Sequence, residues 1–143
     1  MIVLDTNVVS ELMKPEPAGE VLSWMGGAPA ASFYTTSITQ AEILHGILLL
    51  PAGRRRRAIE ATATAMFRED FPGRVLAFDE DSAPPYAQIA TERRKAGRPI
   101  SQFDAQIAAI ARSRKAVLAT RNVSDFEGCG IEIINPWRTK STP

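Results

Sequence analysis

Four acidic side chains stand beside predicted strand ends, where a ligand would bind in an α/β protein. Asp5 follows the first strand, and Glu42 lies in the first turn of the helix pattern after the second strand. Asp104 lies in the first turn of the helix pattern that leads to the fourth strand. Asp125 and the amide of Asn122 occupy the loop after that strand. Because ligands of open α/β sheets bind beyond the carboxyl ends of the strands, we expect these groups to meet at one rim.

Four ionised carboxylates at one rim repel each other, so some must be protonated or neutralised by a cation. Arg121 is the obvious neutralising residue at these positions. Mg²⁺ and Mn²⁺ take oxygen ligands from one or two carboxylates and complete their shells with water. Such an ion lowers the pKa of a bound water and neutralises charge on a phosphodiester. The cluster therefore predicts metal-assisted hydrolysis by an activated water, without a protein nucleophile.

Each acid also has a purely structural interpretation. The spacing from Thr39 to Glu42 matches a capping box, and Asp104 follows a serine at the same spacing. Asp5 is a suitable helix N-cap, and Asp125 a suitable turn residue. Because helix N-termini also position acids well, the structural and the catalytic interpretations overlap.

Short apolar segments alternate with helical patterns along the chain. Strands are predicted over residues 2–4, 33–36, 75–78, 117–120 and 131–134. Helices are predicted through residues 8–12, 21–25, 39–50, 53–68, 82–96 and 101–113. Nearly all-apolar strands that alternate with helices indicate an α/β fold with a mostly parallel sheet covered on both faces. We expect a single domain over residues 1–137 and a flexible tail over residues 138–143.

The composition is that of one ordinary globular domain. The chain has 143 residues, 45% of them hydrophobic, and a formal net charge of +1. The single Cys129 excludes an internal disulfide framework. Because His45 is the only histidine, we exclude a di-iron site, which needs two Glu-x-x-His pairs, and a Ser-His-Asp or Cys-His arrangement with histidine as the base. The longest apolar run, residues 47–50, is too short for a bilayer, and the first five residues lack the basic region of a signal peptide. We expect a cytoplasmic protein without membrane contact.

Five segments resemble one known family in sequence and in order. The family is the PIN-domain ribonucleases, in particular the VapC-type toxins of bacterial toxin–antitoxin pairs. The segments are residues 4–11 (LDTNVVSE), 38–43 (ITQAEI), 103–109 (FDAQIAA), 119–126 (ATRNVSDF) and 134–137 (INPW). The last segment resembles the closing strand of the FitB-like branch, and together the segments span nearly the whole chain.

The resemblance implies a PIN-like three-layer α/β/α sandwich and assigns roles to the acids. Asp5, Glu42 and Asp104 correspond to the three most regular metal-binding acids. Family members place the fourth acid at the position of either Asn122 or Asp125. Because the first is an amide here, Asp125 is favoured and Asn122 is expected to be a neutral helper.

The resemblance also implies partners and a cofactor. Thr6 and Thr120 resemble the hydroxyl residues that line the family's site. The implied activity is Mg²⁺- or Mn²⁺-dependent cleavage of RNA. The family further implies a homodimer and inhibition by a small antitoxin with a DNA-binding domain, through which the pair represses its own operon.

Basic residues supply candidate contacts to RNA phosphates. Arg93, Arg94 and Arg98 form a basic stretch close to the third acid in sequence, and Arg121 lies beside the fourth. The stretch is also explained by favourable charge at a helix C-terminus. The run at residues 54–57 is either a surface for RNA or an acidic antitoxin, or the solvated start of a helix.

Two other functions remain open at this point. An aspartyl phosphatase would use Asp5 as its nucleophile, although Asn7 replaces the second acid of the common Asp-x-Asp pattern. Alternatively, the chain is a non-catalytic binding module for a small DNA-binding partner, and its acids only cap helices. The substitution Glu42→Gln separates these views, because a cap tolerates the amide and a metal site does not.

Overall fold

A parallel five-stranded sheet forms the centre of the computed structural model, which describes residues 1–139. The strands are β1 (Ile2–Leu4), β2 (Phe33–Thr36), β3 (Val75–Leu76), β4 (Val117–Ala119) and β5 (Ile133–Ile134). The helices are α1 (Thr6–Leu12), α2 (Gly19–Met25), α3 (Ser37–Leu48), α4 (Arg54–Ala65), α5 (Ala83–Lys95) and α6 (Gln102–Ser113). No helix within this part of the chain is both long enough and apolar enough to cross a membrane.

The strand order creates a crevice beside the first strand. Across the sheet the order is β3-β2-β1-β4-β5, and every pair is parallel. The chain first builds outward from β1 to β2 and β3, and it then crosses to β4 on the other side of β1. This reversal opens a crevice at the carboxyl ends of β1 and β4, where α/β proteins bind their ligands.

Two apolar cores lie on opposite faces of the sheet. On one face, α5 and α6 cover the strands, and this core includes Val3, Ile89, Ile107, Ile110 and Leu118. On the other face, α1, α3 and α4 cover them, and this core includes Leu4, Val9, Ile43, Ile47 and Ala63. Successive residues of a strand point to opposite faces, so Val3 and Leu4 enter different cores. The predicted three-layer α/β/α architecture is confirmed.

The edge strands are shorter than the apolar runs that predicted them. β2 ends at Thr36, because α3 begins at the next residue. Leu76 of β3 pairs with Thr36, so β3 ends at Leu76, two residues before its predicted end. At the other edge, β5 pairs only with β4, and its regular part begins at Ile133 instead of at residue 131. An apolar run therefore marks each edge strand, but only part of the run pairs with the neighbouring strand.

Two other predicted boundaries change in the structure, one in a helix and one in the C-terminal tail. The helix predicted over residues 53–68 is α-helical only to Ala65 and continues as a π-helix over Met66–Asp70. The predicted tail begins at Arg138, whose backbone N–H donates to Asn135 O at 3.1 Å, so this residue belongs to a turn. Residues 140–143 of that tail lie outside the described part of the chain.

Candidate active site

Asp5 lies at the carboxyl end of the central strand and is only 5% exposed. One carboxylate oxygen, Oδ1, accepts a 2.8 Å hydrogen bond from Thr6 N, so Asp5 caps α1. The other oxygen, Oδ2, accepts hydrogen bonds from Thr120 Oγ1 at 2.8 Å and from Asn7 Nδ2 at 3.2 Å. The predicted capping role is confirmed, and it uses one oxygen while the second faces the end of β4.

The electrostatic surroundings of Asp5 oppose its ionisation. Burial is the main cause that raises the pKa of Asp5 to about 6, and hydrogen bonds from Thr120 and Thr6 partly offset this effect. The negative charges of Asp104 and Glu42 raise the same pKa further. The fold therefore brings carboxylates from β1, α3 and α6 within electrostatic reach of one another.

Glu42 faces Asp5 from α3 through a shared neighbour. Thr6 Oγ1 donates to Glu42 Oε1 at 3.0 Å and lies 3.1 Å from Thr39 Oγ1. The prediction that Thr39 and Glu42 form a capping box is wrong. The N-cap is Thr36, whose hydroxyl accepts from Thr39 N at 3.0 Å, so Glu42 lies in the second turn of α3 and not the first.

Asp104 lies in the first turn of α6, as predicted. The hydroxyl of Ser101 caps this helix by accepting from Asp104 N at 3.2 Å. Burial raises the pKa of Asp104, and the charge of Asp125 raises it further, whereas Arg93 lowers it. Burial likewise raises the pKa of Glu42, to which the charge of Asp104 also contributes. Asp104 is thus the acid that interacts with all the others.

The two candidates for the fourth acid position occupy the turn after β4. Asp125 lies in the exposed 3-10 turn Val123–Phe126, and its charge acts on Asp104. Asn122 precedes this turn, is exposed, and donates its backbone N–H to Thr120 Oγ1 at 3.1 Å. We call Asp5, Glu42, Asp104 and Asp125 the acid cluster.

The donor chemistry of the acid cluster fits a hard divalent cation bound partly through water. All its candidate ligands are carboxylate oxygens, and three of them are held in surroundings that disfavour their own charge. Within residues 1–139, no three acidic, histidine or cysteine side chains lie close enough to hold one ion together. Because Mg²⁺ typically uses one or two carboxylates and several waters, this spacing fits the mode of binding that it prefers.

Asn7 is a site residue that the sequence interpretation missed. Its Nδ2 donates to both Asp5 Oδ2 and Thr120 Oγ1, each at 3.2 Å. Its Oδ1 accepts from the backbone N–H of Arg121 at 3.1 Å. The signal was available, because an amide two residues after Asp5, at the start of a helix, can reach back to that carboxylate.

Comparison with known proteins identifies the family. The profile of the PIN domain matches residues 2–127 of this chain, which include the whole acid cluster. The chain belongs to the PIN-domain family. The resemblance inferred from the five sequence segments is thereby confirmed.

Curated relatives of this PIN domain match over nearly their full length. The chain is 41% identical over 137 residues to "VapC ribonuclease Y4jK" of Sinorhizobium fredii, covering 96% of this chain and 98% of that protein. It is 35% identical over 137 residues to "Toxin FitB" of Neisseria gonorrhoeae, covering 96% and 99%. Among solved structures, a chain of FitAB bound to the IR36 DNA fragment superposes with a TM-score of 0.90 at 34% identity, covering 99% of each chain.

The position of Arg93 overturns one predicted role in this PIN domain. Arg93 is 7% exposed, and its guanidinium donates to the backbone oxygens of Arg98 at 2.7 Å, Asp125 at 2.8 Å and Glu127 at 3.0 Å. A buried guanidinium that is committed to backbone carbonyls does not present itself to RNA phosphates. Arg93 instead joins α5 to the loop that carries Asp125, and the prediction that it binds RNA is wrong.

The other predicted basic residues are exposed. Arg94 lies on the outer face of α5. Arg98 donates to Ser124 O and to Glu127 Oε2, both at 3.3 Å. Arg121 follows β4, and its guanidinium carbon lies 4.9 Å from the centre of the Trp137 ring.

Two grooves are lined by residues next to the acid cluster or within it, and they differ in chemistry. One, here called the polar groove, has a volume of about 860 Å³ and includes Arg121, Asn122, Ser124, Asn135, Trp137 and Arg138 in its lining. The other, here called the apolar groove, has a volume of about 650 Å³ and includes Thr6, Glu42, Ile43, Ile47, Leu50 and Ile59.

Proposed function

We propose that the chain is a metal-dependent endoribonuclease that acts as the toxin of a type II toxin–antitoxin pair. The observation that carries this proposal is the buried Asp5 at the reversal point of the sheet, within electrostatic reach of Glu42 and Asp104. Family membership supports it, because relatives of nearly equal length are named as VapC ribonuclease and toxin FitB.

The acid cluster would hold Mg²⁺ or Mn²⁺ directly or through water. When bound, the ion lowers the pKa of a water and neutralises charge on the phosphodiester. The chain itself orients the ligands, since Thr120 and Asn7 fix Oδ2 of Asp5 and Thr6 fixes Oε1 of Glu42. Fixed ligand orientation is the contribution that surrounding hydrogen bonds make at metal sites.

The apolar groove is the surface we assign to the antitoxin. Several aliphatic side chains line it, Arg55 adds a cation, and Lys14 adds a second one that pairs with Glu11 at 2.9 Å. An amphipathic, acidic segment would bury its apolar face there and neutralise those charges. Solved structures that resemble this chain include the FitAB and VapBC complexes, and both have been solved bound to DNA. A homodimer and a cytoplasmic location complete the proposal.

The phosphatase alternative does not suit the surroundings of Asp5. Its carboxylate accepts hydrogen bonds from Thr6, Asn7 and Thr120, and 5% exposure leaves little room for attack on a phosphate. A nucleophilic carboxylate needs access to its substrate. An RNA cleavage assay distinguishes the binding-module alternative from the nuclease, because a binding module would not cleave RNA.

The deciding experiment is RNA cleavage by the purified full chain, with Mn²⁺ or with a chelator. We expect cleavage only with the metal, and a loss of at least 100-fold in Asp5→Asn. The matched control is Asp81→Asn, because Asp81 is an exposed acid of the short turn before α5. Cleavage in the presence of chelator, or full activity of Asp5→Asn, would contradict the proposal.

A further inference from the structure

We propose that the polar groove binds the RNA nucleotide next to the cleaved phosphodiester, and that Arg121, held over Trp137, contacts its phosphate. This inference rests on the proposed ribonuclease function. It also states the direction in which the RNA strand extends from the acid cluster, which is into the polar groove. It assigns a substrate-binding role to two residues outside that cluster.

The polar groove is connected to the acid cluster by a chain of hydrogen bonds. Asn7 donates to Oδ2 of Asp5 and accepts from the backbone N–H of Arg121, at 3.2 and 3.1 Å. Asp5 and Arg121 follow the two strands between which the strand order reverses. A phosphodiester at the acid cluster would therefore have the polar groove as its neighbour at the rim of the sheet.

The side chain of Arg121 is held in position for an anion. Its guanidinium carbon lies 4.9 Å from the centre of the Trp137 ring, a distance typical of a cation–π contact. The indole also packs against the core between the sheet and α1, α3 and α4, so the ring is a fixed support. A guanidinium that stacks by its face keeps its N–H edges free for a phosphate, and a held side chain loses less entropy on binding.

The charges of the polar groove favour an anion at the arginine side. Arg121 and Arg138 line it together with the amides of Asn122 and Asn135, whereas Glu20 is the carboxylate in the lining. A phosphate placed against the two arginines gains charge-assisted hydrogen bonds. The volume of about 860 Å³ lies within the range of small-molecule pockets, roughly 300–1,000 Å³, and accommodates a nucleotide.

The apolar groove offers RNA a poorer path away from the acid cluster. Thr6 follows Asp5, donates a hydrogen bond to Glu42 and lines the apolar groove together with it. Asn7 instead accepts a hydrogen bond from the backbone of Arg121, which lines the polar groove. In the apolar groove, a strand with one charge per phosphate would lie mostly against aliphatic side chains, and it would lose hydration for fewer polar contacts in return. The contrast between the two grooves favours the polar groove for the RNA strand.

The test compares RNA binding by wild type, Arg121→Gln and Arg57→Gln. Binding of a short labelled single-stranded RNA is measured by fluorescence anisotropy in chelator, over a series of salt concentrations. Arg57 is the matched control, an exposed arginine on α4 that lies outside both grooves. Arg121→Gln preserves the backbone N–H that binds Asn7, so the acid cluster keeps this support.

We expect Arg121→Gln to weaken RNA binding about tenfold and to reduce the slope of log K against log salt by about 0.7, the value for one phosphate contact on a single strand. In cleavage assays with Mn²⁺ it should raise KM more than it lowers kcat. Arg57→Gln should match wild type, and Arg121→Lys should recover the salt slope but only part of the affinity.

Failures of the two proposals are distinguishable. If wild type cleaves RNA and Arg121→Gln binds it with unchanged affinity and salt slope, the groove inference is wrong and the ribonuclease proposal stands. The groove inference is also wrong if Arg121→Gln weakens binding of a protein partner but leaves RNA binding unchanged. If wild type binds RNA through Arg121 but never cleaves it, the catalytic proposal fails. If wild type neither binds RNA in chelator nor cleaves it with Mn²⁺, both are overturned.

Discussion

The hydroxyl of Thr120 donates a 2.8 Å hydrogen bond to Oδ2 of Asp5 and so joins the ends of β4 and β1 at the acid cluster. The hydroxyl oxygen of Thr120, Oγ1, also accepts hydrogen bonds from Asn7 Nδ2 at 3.2 Å and from Asn122 N at 3.1 Å. Thr120 is fully buried, so no water replaces these contacts without a change in the structure. One hydroxyl therefore sets the orientation of the carboxylate, of the supporting amide and of the loop after β4.

Thr120→Val should impair the acid cluster while preserving side-chain volume. It removes a hydrogen bond that lowers the pKa of Asp5, so this pKa should rise further. It also takes from the buried Oδ2 of Asp5 its shortest hydrogen bond and from the backbone N–H of Asn122 its acceptor, at a cost of about 1–3 kcal/mol in the free energy of unfolding. We expect RNA cleavage to fall at least tenfold, measured at saturating Mn²⁺. Thr120→Ser retains the hydroxyl and should recover most activity, and equal loss in both variants would contradict this role.

Asp5 should make the stability of the metal-free protein depend on pH. Its pKa in the folded chain is about 6 against an ordinary 3.8, so the folded state binds the proton more tightly than the unfolded state. The free energy of unfolding therefore falls as the pH rises from about 4 to about 6, by at most about 3 kcal/mol, and levels off above. Urea unfolding across this range should show the decline in wild type and Asp81→Asn. A decline of equal size in Asp5→Asn would assign it to other groups.

Added metal should stabilise the folded chain most at neutral and higher pH. Because the ion binds ionised carboxylates, protonation of Asp5 below about pH 6 should weaken binding. Mn²⁺ at about 100 times its Kd would contribute about 2.7 kcal/mol by mass action, and this appears as a rise in Tm. We expect a clear rise at pH 7.5, a small one at pH 5, and none in Asp5→Asn. The same rise at both pH values would indicate a site elsewhere.

Much of the fold follows from patterns that are local in the sequence. Residues 2–4 form an apolar run before Asp5, and the structure places that acid directly at the end of the central strand. Alternation of such runs with helical patterns was enough to predict the layers and the direction of the strands. These features depend on side-chain periodicity, which the sequence displays directly.

Features that depend on contacts between distant segments escaped prediction. Arg93 resembles an ordinary cation at a helix C-terminus, and only the path of the loop after β4 shows that its guanidinium is buried against Asp125 O and Glu127 O. The apolar pattern predicts a helix that starts at Thr39, whereas α3 starts at Ser37, because Thr36 both ends β2 and caps the helix. Local propensity does not determine which of two overlapping signals the tertiary structure uses.

Arg93 should determine both the stability of the chain and the position of Asp125. Arg93→Met removes a buried cation that serves three backbone carbonyls and also lowers the pKa of Asp104. We expect a loss of about 2–4 kcal/mol in the free energy of unfolding, measured with urea, together with weaker Mn²⁺ binding. Arg93→Lys retains the charge but not the planar guanidinium, so its free energy of unfolding should lie between those of wild type and Arg93→Met. The matched exposed variant Arg94→Met should leave stability within about 0.5 kcal/mol of wild type.

Two substitutions, one at the N-cap of α3 and one within the helix, should separate the cap from the proposed catalytic acid. Thr36 caps the helix, so Thr36→Ala should lower the free energy of unfolding by about 1 kcal/mol. Glu42 has a pKa raised mainly by burial and serves no cap, so Glu42→Gln should leave stability unchanged or slightly higher at neutral pH. Cleavage of RNA should show the reverse order, with a large loss in Glu42→Gln and near-normal activity in the folded fraction of Thr36→Ala. Comparable cleavage by Glu42→Gln and wild type would remove Glu42 from the catalytic set and favour a protein that only binds its partner.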